Sequence, residues 1–324
     1  MRRRIFLIAT AALAAPSVLN AQAQVRPPRK IALLMPNSTD PHFWNALKER
    51  LAALGYVEGR DVVYEMRSAE GQFDRLPALA EELVRTNPDV IVSAATPPVK
   101  ALHAATKTIP IVHAAGGDPV NMGVAASYSR PGGNVTGVAS FADELSVKMV
   151  ELARSVLPKL SSVAVLANAV NPSQGTQQKL TVDAARKIGL TVLELSARAP
   201  ADIDLAFASA AKDRSGAMIV LSDAFLVSER ERVGSLARSH AMPVLAQMAE
   251  HARAGALLSY GPDFAEHFRR AAYFVDRILK GAKPGDLPIE RAATFALVVN
   301  RRVAASLGIK IPQEILVRAT EVID

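Results

Sequence analysis

The chain has 324 residues, of which 50% are hydrophobic and 21% charged, so it is long enough for two globular lobes and too apolar to be disordered. It contains no cysteine, which excludes disulfides, thiolate metal sites, a cysteine nucleophile and a lipid-anchored cysteine. The formal net charge is +7, but the basic residues are scattered rather than gathered in a stripe with aromatic residues. This distribution does not indicate a nucleic-acid partner.

Residues 1–23 have the pattern of a cleaved signal peptide. Three arginines at positions 2–4 precede an apolar run over residues 5–15, and Ala-Gln-Ala at 21–23 offers a cleavage site. The alternative interpretation is a membrane anchor, but the apolar run is short for a segment that spans a bilayer. The pair Arg3-Arg4 resembles a twin-arginine signal, but general secretion is favoured because nothing downstream indicates a cofactor loaded before export. Removing this segment lowers the formal net charge to +4, and we predict a periplasmic protein without a lipid anchor.

Strands and helices alternate along the first half of the chain. Apolar runs predict strands over residues 31–35, 62–66, 90–94, 109–113 and 135–140. Helical spacing of apolar residues predicts helices over residues 43–54, 76–84 and 99–106. The turn-prone sequence at 130–134, RPGGN, is the predicted divide between two halves, with a plain surface turn as the alternative.

The second half repeats this scheme. Strands are predicted over residues 163–167, 191–195, 217–221, 244–246, 256–260 and 295–299, and helices over 180–188, 203–210, 233–237, 268–279 and 300–307. Continuously apolar strands between amphipathic helices are typical of parallel sheets covered on both faces. So many strands are unusual in one twisted sheet, so we predict two α/β lobes, each with a doubly wound parallel sheet.

No catalytic signature is present in the sequence. It lacks a Gly-x-Ser-x-Gly elbow, a phosphate-binding Walker loop, a His-Glu-x-x-His motif and a dinucleotide-binding glycine fingerprint. The six histidines stand apart, without metal-ligand spacing. We therefore predict no catalytic residue, no metal and no cofactor, although a Ser/His/Asp site assembled across the fold stays open from sequence alone.

The polar residues that follow predicted strands are the candidate ligand-binding groups, because ligands bind at the carboxyl ends of strands in such folds. Asn37 and Asp40 follow the first strand. At the third strand, Ser93, Ala95 and Thr96 form a turn whose free amides and hydroxyls would suit a carboxylate or similar anion. The alternative is that Ser93 and Thr96 only cap the next helix.

Two acidic residues, an amide and three aromatic residues complete the candidates. Asp118 and Asp223 could face a ligand ammonium group or act as helix caps, and Asn171 could bind ligand or make an Asn-Pro turn. The aromatic candidates for stacking on a ligand, with core packing as the alternative, are Phe43, Trp44 and Tyr260.

The chain resembles a family of ABC transporter substrate-binding proteins related to the tryptophan-binding component. Residues 40–44 (DPHFW) resemble the opening of the ribose-binding class, and coverage runs from about residue 30 to 324. The stretches that carry the closer resemblance are LGYVEG at 54–59, RLPALA at 75–80, GDPV at 117–120, RPGGNVTG at 130–137, LSYGP at 258–262, ILKGAKP at 278–284 and LGIKIP at 307–312.

This resemblance implies a type I periplasmic-binding-protein fold whose chain crosses between the lobes near residues 140, 260 and 294. The first lobe would then comprise residues 30–140 and 261–293, and the second residues 141–260 and 294–324. It also implies a monomer that holds a small molecule between its lobes and delivers it to an ABC transporter permease. Relatives commonly have Tyr-Gly where this chain has Ala246-Gln247, and Trp-Asn near Asn168. The resemblance therefore does not identify the ligand of this chain.

The function predicted from these observations is an exported, non-enzymatic solute-binding protein of an ABC importer, with an amino acid as the implied class of polar solute. A ligand-presenting protein for a membrane sensor is the alternative. A secreted α/β hydrolase is disfavoured by the missing nucleophile motif. The sensor half of a transcriptional regulator would need a DNA-binding segment where the signal peptide stands.

Overall fold

The computed structural model describes residues 27–37, 41–140, 142–291 and 294–324, so Asp40 and the predicted signal peptide lie outside the described residues. Two sheets organise the described chain, each covered on both faces by helices. We call the first sheet with its helices the first lobe, and the second sheet with its helices the second lobe.

The first lobe has a parallel sheet with the strand order β11-β5-β4-β3-β1-β2 among the described residues. Its strands are β1 (Arg29–Met35), β2 (Val62–Ser68), β3 (Val90–Ala94), β4 (Ile111–Ala115), β5 (Val135–Ala139) and β11 (Glu290–Arg291). Its helices are α1 (Pro41–Ala53), α2 (Leu76–Arg85), α3 (Thr96–Ala105) and α10 (Phe264–Leu279), with 3-10 turns at Phe73–Arg75 and Pro284–Asp286.

The second lobe has the strand order β13-β12-β10-β9-β8-β6-β7 over the same described ranges. Its strands are β6 (Ser162–Asn168), β7 (Thr191–Ala197), β8 (Met218–Val220), β9 (Val244–Ala246), β10 (Leu258–Pro262), β12 (Phe295–Asn300) and β13 (Glu321–Ile323). Its helices are α4 (Ala142–Val156), α5 (Gln174–Lys187), α6 (Pro200–Asp213), α7 (Ala224–Ser228), α8 (Arg230–Ser239), α9 (Ala249–Ala254), α11 (Arg301–Ser306) and α12 (Gln313–Arg318).

The burial of the strands explains their apolar sequences. Every residue of β3, β4 and β5 is buried, because α1 and α10 cover one face of the first sheet and α2 and α3 cover the other. Helix α10 presents Phe268, Ala271, Ala272 and Val275 to this core and packs along α1. The chain passes to the second lobe after β5, returns after β10, and passes over again between β11 and β12.

The prediction that the second sheet is wholly parallel is wrong at one pair of strands. Strands β10 and β12 are antiparallel, with Pro262 opposite Phe295. The reason is the route of the chain: β10 runs toward the first lobe, whereas β12 begins where the chain comes back from it.

The prediction that the turn at residues 130–134 divides the halves is also wrong. The next strand, β5, pairs with β4 of the same sheet, starting with Ile111 opposite Val135. The turn instead packs within the first lobe, where the Gly132 amide donates a 3.1 Å hydrogen bond to the Gly285 carbonyl.

Other departures are local. The strand predicted over 109–113 begins at Ile111, because the Thr106 hydroxyl accepts hydrogen bonds from the amides of Thr108 and Ile109 and holds that segment as a turn. Helix α4 is not predicted from the sequence, although Leu145, Met149 and Leu152 recur at helical spacing. The short elements α7, α9, α12, β11 and β13 are also missed.

In the part of the chain that the structure describes, no helix combines the length and apolarity needed to cross a bilayer.

Candidate ligand-binding cleft

A cavity of about 540 Å³ lies between the lobes, at the carboxyl ends of the strands of both sheets. The first lobe lines it with residues that follow β1, β3 and β4, and with the first two turns of α10. The second lobe lines it with residues that follow β6, β8 and β9. Parallel sheets place loops and helix starts at this edge, so the position agrees with the general rule for ligand sites in such folds.

Two loops of the first lobe pack closely enough to form one rigid wall. Ala95 has φ 67° and ψ 156°, a conformation otherwise used almost only by glycine. Its amide donates a 2.7 Å hydrogen bond to the carbonyl of Ala115. A Cβ added to Gly116 would lie 2.8 Å from the Cα of Ala95, and one added to Gly117 would lie 2.6 Å from Oγ1 of Thr96. Gly116 is therefore required for this contact between the loops, and a side chain at position 117 would displace the Thr96 hydroxyl.

The anion site predicted at residues 93–96 has fewer donors than the sequence analysis expects. Ser93 is buried, and its hydroxyl donates a 2.7 Å hydrogen bond to the carbonyl of Leu34. The Ala95 amide is already bonded, and Pro97 and Pro98 have no amide hydrogen. Thr96, which lines the cavity, carries the remaining amide and hydroxyl of this turn.

In the second lobe, Asp223 is the centre of a hydrogen-bond network. Its Oδ1 accepts from Nδ2 of Asn168 at 3.0 Å and from the amides of Phe225 and Leu226 at 2.8 and 3.2 Å. Its Oδ2 accepts from Nδ2 of Asn171 at 2.7 Å. Asp223 is only 5% exposed, so these donors stabilise a carboxylate that burial alone would disfavour.

Two glutamine side chains, Gln174 and Gln247, support this network through hydrogen bonds to Ser222. Nε2 of Gln174 donates 2.9 Å hydrogen bonds to the carbonyl of Ser222 and to Oε1 of Gln177. The amide of Ser222 in turn donates to Oε1 of the fully buried Gln247 at 2.9 Å. Gln247 thus fixes the turn that presents Asp223 without lining the cavity itself.

Asp118 lines the cavity from the first lobe, but its carboxylate also has internal partners. Oδ1 accepts from the amides of Val120 and Asn121 at 2.8 and 3.3 Å, and Oδ2 accepts from the Tyr128 hydroxyl at 2.5 Å. Desolvation and this bond to Asp118 raise the pKa of Tyr128 to about 12. Asp118 therefore caps its own loop as well as facing the cavity.

An apolar wall lies beside these polar groups. The rings of Phe43 and Phe268 are stacked with centroids 5.8 Å apart, and Phe264 meets Phe43 edge-on at 6.2 Å. All three line the cavity, as do Val227 and Met248 of the second lobe. The cleft therefore offers hydrogen-bonding groups and an apolar surface to the same small molecule.

The structure brings most of the predicted site residues to this cavity. The ones that line it are Asn37, Phe43, Ala95, Thr96, Asp118, Asn171 and Asp223. Their contact with a ligand stays a prediction, and Asp40 lies outside the described residues.

Three other predicted residues, Trp44, Ser93 and Tyr260, lie away from the cavity. Trp44 points about one-third of a turn away from Phe43 and packs edge-on against Tyr64, with centroids 5.0 Å apart. Ser93 points into the core beneath the sheet edge, as its bond to Leu34 shows. Tyr260 stacks on Phe295 at 5.9 Å, beside the second-lobe core.

Several residues that line the cavity are not among those predicted from the sequence. Phe264 and Phe268 belong to α10, and Met248 and Gln174 follow strands of the second lobe. A signal existed for Gln174, because it follows the same strand as Asn171. Phe268 was recognised only as part of an apolar helical stripe.

No cluster of three or more His, Asp or Glu side chains that could hold a metal ion occurs in the ranges the structure describes. The buried histidines have structural contacts: Nε2 of His113 lies 3.0 Å from the Gly117 carbonyl, and Nε2 of His251 lies 3.1 Å from the Leu226 carbonyl. Burial lowers the pKa of each of these two histidines to about 4, so both are neutral near pH 7.

Comparison with known proteins identifies the family. The model of the ABC transporter substrate-binding protein family matches residues 34–323, which is most of the chain. The chain belongs to this family. Its members are substrate-binding proteins rather than enzymes and work with ABC transporters.

Individual relatives agree with this assignment. The tyrosine-binding protein of Clostridioides difficile (strain R20291) is 26% identical over 83% of this chain and 76% of its own length. A solved ABC domain from Streptococcus pneumonia in complex with L-Trp is 27% identical, with a TM-score of 0.81 over 92% of this chain and 100% of that chain. A conserved domain protein from Vibrio cholerae O1 biovar eltor is 32% identical, with a TM-score of 0.82 over 91% of this chain and 100% of that chain.

More distant solved structures show the fold. A solute-binding protein from Bacillus halodurans with bound myo-inositol is 15% identical and covers 86% of this chain with a TM-score of 0.61. Together with the two sheets and the crossings between them, these similarities show a type I periplasmic-binding-protein fold. The fold and the family predicted from the sequence are thus confirmed.

Proposed function

We propose that this protein is the exported solute-binding component of an ABC importer and that it captures an amino acid with an apolar side chain. The observation that carries the proposal is the composition of the interlobe cavity, where Thr96 and Asp223 lie on opposite lobes and the rings of Phe43 and Phe268 lie on the wall beside them. An amino acid combines an anionic, a cationic and a side-chain group at one carbon, and the cavity offers a surface for each.

The amino group of the solute binds Asp223 in this proposal. Oδ2 of Asp223 accepts one hydrogen bond from Asn171, and a carboxylate oxygen has room for a second donor. The carboxylate of the solute binds the Thr96 amide and hydroxyl at the start of α3, where the helix dipole favours negative charge. Because the two groups belong to different lobes, the solute bridges the lobes and favours their closure.

The apolar side chain of the solute lies against Phe43, Phe264 and Phe268. Burying a side chain the size of leucine or phenylalanine contributes about 1.5–3 kcal/mol, enough to separate apolar from polar amino acids by tenfold or more. The relatives named above, a tyrosine-binding protein and a domain in complex with L-Trp, support the same class of ligand.

The cellular setting belongs to this proposal as well. Residues 1–23 act as a cleaved signal peptide, and the mature protein is a periplasmic monomer without a lipid anchor that delivers its solute to a membrane permease. The lobes comprise residues 30–140 with 261–293 and residues 141–260 with 294–324.

A thermal-unfolding screen of the mature protein against amino acids, sugars, nucleosides and organic acids tests this function. A true ligand at 100 times its Kd adds about 2.7 kcal/mol of stability. We expect L-tryptophan, L-tyrosine or a branched amino acid to give the largest shift, with calorimetry giving a stoichiometry of one. A shift with sugars alone, or turnover of a substrate without a stable complex, would contradict the proposal.

A further inference from the structure

Two apolar side chains of the second lobe are covered by the first lobe. Val227, in α7, is 4% exposed and Met248, two residues after β9, is 5% exposed, although both line the interlobe cavity. Both belong to the packed cluster that contains Phe43 and Phe268, whose other members come from the first lobe. Val227 and Met248 therefore pack against first-lobe side chains across the cleft.

Other buried residues of the second lobe do not share this position. Met242 is 5% exposed and Val233 is fully buried, but both belong to a cluster built only from second-lobe residues. Opening the cleft would leave the surroundings of Met242 and Val233 unchanged. The same movement would separate Val227 and Met248 from their first-lobe neighbours, at a cost proportional to the apolar area exposed.

We propose that Val227 and Met248 form an apolar latch that holds the lobes closed before any solute binds, and that the latch sets the affinity for the solute. The cavity of about 540 Å³ remains beside the latch, so the latch closes part of the cleft without filling the site. A solute binds the closed form more tightly than the open form, and its apparent Kd is the intrinsic Kd divided by the closed fraction. Weakening the latch lowers that fraction and raises the apparent Kd.

The latch can be tested without a ligand, so this test does not depend on the proposed function. The chain has no cysteine, so Asp74→Cys and Val170→Cys place one spin label on each side of the cleft. Asp74 and Val170 are exposed and neighbour the cavity residues Phe73 and Asn171. Pulsed electron paramagnetic resonance on the ligand-free protein then reports the distribution of interlobe distances.

The double-cysteine parent should show a short-distance population in the absence of any amino acid. Met248→Gln should lower the ratio of closed to open molecules about tenfold, which corresponds to about 1.4 kcal/mol of lost interlobe contact. Met248→Leu, which conserves volume and apolarity, should keep the parental distribution. Comparing Met248→Gln with Met248→Leu separates the effect of apolar contact on the interlobe distances from the effect of side-chain size.

Matched controls separate the latch from ordinary core packing. Met242→Ala and Val233→Ala should lower the melting temperature but keep the parental distances, whereas Met248→Ala and Val227→Ala should lengthen them. The proposal is overturned if the ligand-free parent is wholly open, or if the latch variants and the controls give the same distances. Circular dichroism verifies that each variant is folded, and Met248→Gln serves if an alanine variant does not fold.

Calorimetry with L-tryptophan and L-tyrosine gives a second readout, which rests on the proposed function. The apparent Kd should rise at least by the factor by which the closed fraction falls, because Val227 and Met248 also line the cavity. If the parent binds neither amino acid, the proposed ligand class is wrong, while the distance measurement still decides the latch. If the parent binds and the latch variants bind equally well despite opening, the link between the latch and affinity is refuted.

Discussion

The side-chain amide of Asn171 donates a 2.7 Å hydrogen bond to Oδ2 of Asp223, joining the loop after β6 to the start of α7. The neighbouring amide of Asn168 donates to the other oxygen at 3.0 Å. Asp223 is therefore both a helix cap and an acceptor for two side-chain amides. This dual role separates it from the other capping residues in the part of the chain that the structure describes.

Asp223→Ala should lower the free energy of unfolding by about 3 kcal/mol, because it removes a helix cap and leaves the Asn168 and Asn171 amides unpaired. Asp263→Ala is a suitable control, since Asp263 caps α10 through one amide, that of Glu266 at 3.0 Å. Its loss should cost about 1 kcal/mol. Urea unfolding measures both values, and equal losses would argue against the network at Asp223.

Gly116→Ala should destabilise the protein by more than about 2 kcal/mol and weaken solute binding, because the new Cβ would meet the Ala95 backbone at 2.8 Å and φ is +125°. Gly123 lies in the same loop with φ +73°, and a Cβ there would meet nothing within 4 Å. Gly123→Ala should therefore cost about 1 kcal/mol from backbone strain and leave affinity unchanged. Denaturant unfolding and calorimetry on both variants distinguish a crowded loop contact from strain alone.

Phe43→Leu should raise the Kd for L-tryptophan about tenfold, because it removes the ring that stacks on Phe268 along the cavity wall. The adjacent Trp44 packs on Tyr64 outside the cavity. Trp44→Leu should change the same Kd by less than about twofold, in line with the small effects of residues away from a site. If calorimetric titration gives a larger change in Kd for Trp44→Leu than for Phe43→Leu, the assignment of Phe43 to the cavity wall is contradicted.

Stability should fall as the pH is lowered from about 6.5 to about 4. Burial lowers the pKa of His113, His251 and His267 to about 4, below the ordinary value of 6.5. Within that window the unfolded chain binds more protons than the folded protein, so acid favours unfolding; above pH 6.5 these histidines are neutral in both states and the stabilisation is complete. Each such histidine contributes a slope of about 1.4 kcal/mol per pH unit.

Chemical unfolding at a series of pH values tests this expectation. His251→Gln removes one titrating group and keeps a donor able to reach the Leu226 carbonyl, where the histidine nitrogen lies at 3.1 Å. The variant should show a shallower pH dependence than the parent. An unchanged slope would show that His251 is protonated in the folded state.

Much of the fold could be predicted from sequence because its signals are local. Strands such as β8 and β9 are uninterrupted apolar runs, and α10 has a clear apolar stripe. The same local signal places Asn37, Thr96 and Asp118 at one edge of the first sheet, since each follows a strand.

The remaining features depend on contacts between distant segments. The apolar stripe of α10 identifies Phe268 as buried but does not show that it meets Phe43, more than 200 residues away in the chain. Strand β3 is buried along its whole length, so its sequence pattern does not show that the Ser93 hydroxyl bonds the Leu34 carbonyl instead of facing the cavity. The hydrogen bonds that Asn168 and Asn171 donate to Asp223 likewise require the pairing of β6 with β8.

The antiparallel pairing of β10 with β12 also constrains how the lobes can move. Pro262 lies opposite Phe295, and the Asp263 amide donates a 3.1 Å hydrogen bond to the Thr294 carbonyl, so two of the connecting segments are bound side by side where they leave the second lobe. They must bend together as a two-stranded ribbon, while the segment at Ser140 bends separately. We expect such a connection to favour rotation about one axis over twisting of one lobe against the other, which would keep Thr96 and Asp223 aligned as the lobes close.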